Sequence, residues 1–335
     1  MSVGKKLKNG MGVKEIVKSG KVISSFRRLV MTFIFLAVAV GLSACGQPQQ
    51  GASPASEGKI KVTATIGMIS DVVRQVGGEH VEVTGLMKSG VDPHLYKASQ
   101  GDVKKLEQAQ IIFYNGLHLE GKMVEIFEKM TKEKPTVAVS RNIAEQQLRG
   151  WEGGEAAHDP HIWFNVRHWI SATEVIREEL TKLDPAHADD YKKHADDYTK
   201  QLQELDDYAR SQIASIPEQQ RVLVTAHDAF GYFGDAYGIK VMGLQGISTA
   251  SEYGSKDISD LRDFMVANQI KAVFVESSVP KKSIEAVIEG AKKQGHEVKI
   301  GGELFSDAMG EEGTPEGTYI GMVRHNVDTI VSALK

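Results

Sequence analysis

The fold turns on residues 185–216, PAHADDYKKHADDYTKQLQELDDYARSQIASI. Within this stretch Tyr191, Ala195, Tyr198, Leu202, Leu205, Ala209, Ile213 and Ile216 recur every three or four residues. That spacing returns to one face of an α-helix. Asp189, Asp190, Lys192, Lys193, Asp196, Asp197 and Lys200 fall on the opposite face. Asp184-Pro185 marks the start, and no Pro or Gly lies between Ala186 and Ile216, so the usual kink sites are missing. A helix of this length extends about 45 Å, enough to run across two lobes.

On either side of this helix, short apolar runs alternate with amphipathic ones. Upstream, strands are expected at Ile60–Met68, Val81–Met87, Ile111–Tyr114 and Thr136–Val139. Between them lie a helix capped by Ser70 and ending at Gly77-Gly78, and helices at Ser99–Gln108 and Gly121–Met130; another follows at Asn165–Leu183. Downstream, strands are expected at Val222–Thr225, Lys240–Leu244, Ala272–Glu276 and Glu297–Ile300. Their helices are Ala229–Tyr237, Asp257–Asn268, Lys282–Gln294 and Thr318–Leu334. Such alternation gives parallel sheets with helices on their faces. The expectation is an α/β protein of two lobes, each with a parallel sheet flanked by helices, joined by one long rigid helix. The lobes are residues 60–184 and 218–335, and the linking helix is 185–217.

The N-terminus reads differently. Lys5, Lys6, Lys8, Lys14, Lys18, Lys21, Arg27 and Arg28 precede the apolar run Leu29–Leu42, which ends in Ser43-Ala44-Cys45. A basic head, a short apolar core and small residues make a secretory signal, and the run is shorter than the roughly 20 residues a membrane span needs. Residues 1–44 are therefore expected to be a signal peptide. Cys45 is the only cysteine, and its setting resembles a bacterial lipobox, in which the cysteine carries the lipid that anchors the mature chain. Residues 45–59, rich in Gly, Pro, Ser and Gln, then form a flexible tether. With its thiol lipidated, the mature chain has neither disulfides nor thiolate ligands. Any metal must be held by nitrogen and oxygen.

The chain has 335 residues, 41% of them hydrophobic, which suffices for two cores. Its 40 basic and 44 acidic residues are interspersed, for a net charge of −4, and leave no basic footprint for nucleic acid.

Four segments fall where a strand hands over to a loop: Asp92-Pro93-His94-Leu95-Tyr96, Asp159-Pro160-His161-Ile162-Trp163, Thr225-Ala226-His227-Asp228 and Phe305-Ser306-Asp307-Ala308. Parallel sheets bind ligands at the carboxyl ends of their strands. The repeated Asp-Pro-His tripeptide singles out His94 and His161 as metal ligands, because proline fixes a stiff turn that aims the imidazole. His227 and Asp307 lack such a repeat, and on spacing alone either is a ligand or an ordinary polar residue. Glu276 ends an apolar strand, where it either orients a ligand imidazole or bonds backbone. His118, in GLHLE, either supports a ligand or serves only the surface. His158 is expected to face solvent, and His80, His168, His187, His194, His296 and His325 to be ordinary helix or strand-edge residues. Gly243, Gly246, Gly254, Gly301 and Gly302 flank the second-lobe loops and mark that lobe as the mobile half.

His94–Ser99 (HLYKAS), Asp159–Phe164 (DPHIWF), Thr225–Phe233 (TAHDAFGYF), Gly243–Ser251 (GLQGISTAS), Phe274–Ser278 (FVESS) and Gly301–Gly310 (GGELFSDAMG) resemble the manganese/zinc-binding lipoproteins of bacterial ABC importers. The likeness is greatest to manganese-binding lipoproteins of Gram-positive bacteria and runs from about Ile60 to the C-terminus. It implies two lobes on one helix with a metal between them, held by His94, His161, His227 and Asp307. Many manganese receptors of the family carry Glu where this chain has His227. Three imidazoles and a carboxylate suit Zn²⁺ and tolerate Mn²⁺; a bidentate Asp307 would favour Mn²⁺, which is the preferred reading with Zn²⁺ second. The resemblance further implies a non-enzymatic receptor on the outer face of the cell membrane, held by lipid on Cys45. It would act as a monomer and deliver its ion to an ABC permease and its ATPase. A mononuclear zinc metallohydrolase and a siderophore- or corrin-binding lipoprotein are the alternatives. The first would need an open coordination position, and the second a cleft walled by aromatic or Arg residues, whereas only 3 Trp are present.

Overall fold

The structure, a computed structural model, describes residues 58–151 and 157–335. The expected signal peptide, Cys45 and nearly all of the tether lie outside them. Among the described residues no helix is long and apolar enough to cross a membrane.

The first lobe runs β1 (Ile60–Ala64), α1 (Gly67–Gly77), β2 (Val81–Gly85), α2 (Gln100–Gln108), β3 (Ile111–Tyr114), α3 (Val124–Thr131) and β4 (Thr136–Ala138). All its strand pairs are parallel, in the order β2-β1-β3-β4. Ser99 caps α2 through a reciprocal pair: its hydroxyl accepts from the Asp102 N–H at 3.2 Å, and the Asp102 carboxylate accepts from the Ser99 N–H at 3.0 Å. Ser70, by contrast, does not cap α1. That helix starts at Gly67, and the Ser70 hydroxyl bonds back to the Ile66 carbonyl at 3.2 Å. The apolar run around Met68 and Ile69 is the buried first turn of a helix exposed only at Arg74 and Gln75, a case that apolar content alone cannot tell from a strand.

Asn165 caps α4 (Val166–Leu183). A 3₁₀ turn, Pro185–His187, then leads into α5 (Ala188–Ala214), about 40 Å of unbroken helix. Tyr191, Ala195, Tyr198, Leu202, Leu205, Ala209 and Ile213 are all buried, as the stripe requires. The outer face pairs Lys192 with Asp196 and Lys193 with Asp197, one turn apart. Asp206 is the exception: it is buried within the stripe and accepts from Tyr237 at 3.1 Å and Arg167 at 3.2 Å.

The second lobe contains β5 (Val222–His227), α6 (Gly231–Tyr237), β6 (Lys240–Gln245), α7 (Ser255–Ala267), β7 (Ala272–Glu276), α8 (Lys282–Lys293), β8 (Lys299–Leu304) and α9 (Tyr319–Leu334). Its strands form two parallel pairs, β5-β6 and β7-β8. β5 and β7 lie side by side, and at their ends the Glu276 carboxylate takes the His227 N–H at 2.8 Å. β8 continues past the expected Ile300 through Gly301 and Gly302. A Cβ on Gly301 would sit 2.8 Å from Ala333, and one on Gly302 2.3 Å from Thr329. These glycines let α9 press onto the strand.

α5 packs on α1 and α4 of the first lobe and on α6 and α9 of the second. One apolar cluster runs through Val62, Leu202, Phe230, Phe274, Tyr319 and Ile330, spanning both lobes. Phe164 meets Phe230 at 4.2 Å between ring centroids, and Trp169 stacks on Tyr319 at 5.1 Å. A smaller cluster, including Val224, Leu261, Val275 and Ile284, belongs to the second lobe alone. Because Leu202 is fully buried at the middle of α5, Leu202→Ala should cost about 3 kcal/mol in chemical denaturation. Lys192→Ala, on the exposed face, should change stability by less than about 0.5 kcal/mol.

Candidate metal centre

Each loop that was expected to carry a ligand leaves the carboxyl end of a sheet or leads into a helix that packs there. His94 follows β2, and its N–H donates to the Asp92 carboxylate at 2.9 Å, closing a tight turn on the proline. The other Asp92 oxygen accepts from the Thr249 hydroxyl at 2.6 Å, tying this loop to the loop after β6. In the second tripeptide Asp159 plays a different part. One oxygen accepts both the His161 N–H at 2.9 Å and His161 Nδ1 at 2.7 Å. His227 is the last residue of β5, and its Nδ1 meets Glu276 at 2.5 Å. Asp307 follows β8, where Trp163 Nε1 donates to the neighbouring Ser306 carbonyl at 3.0 Å.

Proton donation from Nδ1 to a carboxylate leaves Nε2 as the free donor atom. The Nε2 atoms of His161 and His227 lie 3.3 Å from Asp307 Oδ1 and Oδ2 respectively, and His94 Nε2 lies 3.6 Å from Oδ2. His94 and His161 approach each other at 3.2 Å through Nε2. Four donors bonded at about 2.1 Å to one tetrahedral ion stand about 3.4 Å apart. The observed spacing matches that figure. All four residues are at most 4% exposed, and they form the group of His and acidic side chains able to share one ion among the described residues. His227 Nε2 and both Asp307 oxygens are buried with no hydrogen-bond partner.

The electrostatics divide the three imidazoles. Burial pushes His94 down to about 3, against the pull of Asp307. Burial also opposes charge on His161, but Asp159 and Asp307 outweigh it and raise this imidazole to about 9. His227 is likewise raised well above the ordinary imidazole value, burial being overcome by Glu276 and Asp307. Burial disfavours the Asp307 anion, yet His227 and His161 hold it well below the usual carboxylate range.

The structure thus brings His94, His161, His227 and Asp307 together and puts Glu276 behind His227. His118 is exposed on a left-handed turn, φ 68°. His158 does not simply face solvent: it pairs with Glu145 at 2.8 Å. His80 pairs with Asp190, His187 with Asp184, and His194, His296 and His325 each bond a backbone carbonyl. His168 packs edge-on against Tyr232. Sequence reasoning missed the contributions of Asp159, Asp92 and Thr249. The Asp-Pro-His repeat holds the first two, whose side chains can reach the N–H two residues on; Thr249 carries no local signal.

Two α/β lobes strung on one helix, with a buried donor set between them, define a class of two-lobed binding protein. Residues 62–333 match the family described as zinc-uptake complex component A, periplasmic, and the chain belongs to that family. It is 53% identical over 294 residues to the manganese-binding lipoprotein MntA of Bacillus subtilis (strain 168), covering 88% of this chain and 95% of that one. It is 50% identical over 280 residues to the zinc-binding protein TroA of Treponema pallidum (strain Nichols), covering 84% and 90%. The solved structure of the periplasmic zinc-binding protein TroA from Treponema pallidum superposes with a TM-score of 0.81, covering 83% of this chain and 99% of that one.

A bound divalent ion requires neutral imidazoles. The neighbouring carboxylates raise the proton affinity of both His161 and His227, so an ion competes with protons for these imidazoles. Affinity should therefore fall as pH drops and rise as pH approaches about 9, where the His161 proton is lost. Calorimetry in buffers of differing ionisation enthalpy should show protons released near pH ~7; no release would contradict this charge distribution. Glu276→Gln and Asp159→Asn should each weaken metal binding by about 10- to 100-fold.

Proposed function

We propose that this chain is the extracytoplasmic receptor of an ABC importer, holding Mn²⁺ or Zn²⁺ between its lobes through His94, His161, His227 and Asp307. The lobes in this reading are residues 60–184 and 218–335, with residues 185–217 as the link. The observation that carries it is the set of buried atoms without partners: His227 Nε2 and both oxygens of Asp307. Leaving such atoms unsatisfied is costly in a dry interior, and a cation satisfies all of them at once.

Both Asp307 oxygens face imidazoles across the centre, as bidentate binding needs. A fifth donor atom favours Mn²⁺, which we take as the first cargo, and the relative named as manganese-binding supports it. Zn²⁺ comes second, supported by the near-tetrahedral spacing and the relative named as zinc-binding. Hydrolysis is disfavoured because His94, His161, His227 and Asp307 together would fill the ion's coordination and leave no open position for an attacking water. A siderophore or corrin would need far more room than the space these ligands enclose. Lipid on Cys45 anchors the receptor to the outer face of the membrane, where as a monomer it meets the permease and its ATPase. Relatives named as lipoproteins support that anchoring.

Protein expressed in medium with equal manganese and zinc should carry close to one equivalent of divalent metal by mass spectrometry. His94→Ala, His161→Ala, His227→Ala or Asp307→Ala should each abolish high-affinity binding while the apo fold persists. Full affinity in His227→Ala would remove that residue from the site.

The anchor is tested separately. Cys45→Ser should appear in the medium or accumulate as unprocessed precursor. Normal processing and retention at the membrane would rule out lipidation at this position.

A further inference from the structure

Arg149 stands behind the site, where the two lobes meet. Its carbonyl accepts the Asp159 N–H at 2.9 Å, and its own N–H donates to the Tyr232 hydroxyl at 3.0 Å. That hydroxyl donates in turn to the Asp159 carbonyl at 2.9 Å. The backbone around Asp159-Pro160-His161 is thus fastened to α6 of the second lobe. The guanidinium repeats the connection through charge. Its Nη1 bonds Asp235 of α6, while Nε faces Asp159 Oδ2 at 3.5 Å. Asp159 Oδ1 is already taken by His161, so the carboxylate is shared between ligand and guanidinium.

Gly231, the first residue of α6, makes room for this arrangement. A Cβ there would lie 2.5 Å from Arg149 Nε, 2.9 Å from Cζ and 3.0 Å from Asp159 Oδ2. Gly231 also closes the short loop that begins at His227. One side chain therefore touches the carboxylate that orients His161 and the helix that follows His227. The Arg149 side chain is 34% exposed, so solvent screens part of the attraction.

We propose that Arg149 is a positioning residue that couples the two ligand loops and slows the escape of bound metal. The inference rests on reading the four-residue centre as a metal site. Metal bonds near ~2.1 Å tolerate little displacement, so a tie between the loops makes their separation rarer. Separation limits departure of the ion, whereas capture begins from loops already apart; the effect belongs to dissociation.

The test is stopped-flow release of Zn²⁺ from purified full-length protein into excess chelator, with association measured alongside. Arg149→Ala should release Zn²⁺ about five- to tenfold faster, with association nearly unchanged. Arg149→Lys should recover part of the loss, since it keeps the charge but not the planar fork. Asp235→Asn should give a smaller rise and add nothing in the Arg149→Ala background. Gly231→Ala, which evicts the guanidinium, should resemble Arg149→Ala. A merely structural role would lower the unfolding temperature of the metal-free protein without separating release from association. Release within about twofold of wild type in Arg149→Ala overturns the coupling. If that variant fails to fold, unchanged release in Asp235→Asn, whose side chain is 64% exposed, overturns it instead. Wild-type protein that binds no Zn²⁺ or Mn²⁺ would refute the metal reading itself, which is a separate failure.

Discussion

A carboxylate sealed from water needs positive charge close by, and Asp307 is such a carboxylate: 1% exposed, with neither oxygen in a hydrogen bond. The surrounding structure answers this requirement. His161 and His227 face it, each backed by a second carboxylate, so that charge alternates from Asp159 and Glu276 through imidazole to Asp307. A divalent cation held among the four residues would supply the positive charge that Asp307 needs and give the buried His227 Nε2 and Asp307 oxygens the partner they otherwise lack.

The same constraint explains why the lobes are bound together by more than α5. Asp307 comes from the second lobe, and two of its three imidazole neighbours come from the first. Bonds cross between the lobes on several sides of the centre: Ser89 to the Met309 carbonyl, Thr249 to Asp92, Trp163 to the Ser306 carbonyl and Tyr319 to the Trp163 carbonyl. Of the glycines beside the second-lobe loops, Gly243, Gly301 and Gly302 sit where a side chain would collide with a neighbouring segment, and so serve close packing, whereas Gly246 and Gly254 have room around them. α5, with no Pro or Gly in it, offers no break at which the lobes could swing apart.

Much of this was legible in the sequence. The period of Tyr191 through Ile213 located the long helix because amphipathic spacing is a local property. The repeated Asp-Pro-His tripeptide marked His94 and His161 for the same reason. What stayed hidden depends on distant residues. Glu276 reaches His227 across 49 residues of chain, and nothing beside it indicates whether it meets imidazole or backbone. Asp92 and Asp159 occupy identical tripeptides, yet one bonds Thr249 and the other an imidazole ring. Local pattern gives them the same role; tertiary partners separate them. β8 runs beyond the reach of local pattern because Gly301 and Gly302 weaken a strand by propensity, whereas close packing by α9 demands them.

The final helix also bears on the order in which this molecule can be completed. Tyr319, Met322, Val323, Val327 and Ile330 of α9 belong to the same apolar cluster as Ile60, Val62 and Ala64 of the first strand. Tyr319 further donates its N–H to Asp71 of α1 at 2.9 Å. A chain synthesised from its N-terminus therefore leaves the α1 and α5 surfaces that α9 covers open until that helix is made. A truncation that removes α9 uncovers apolar surface made early in synthesis as well as surface made late.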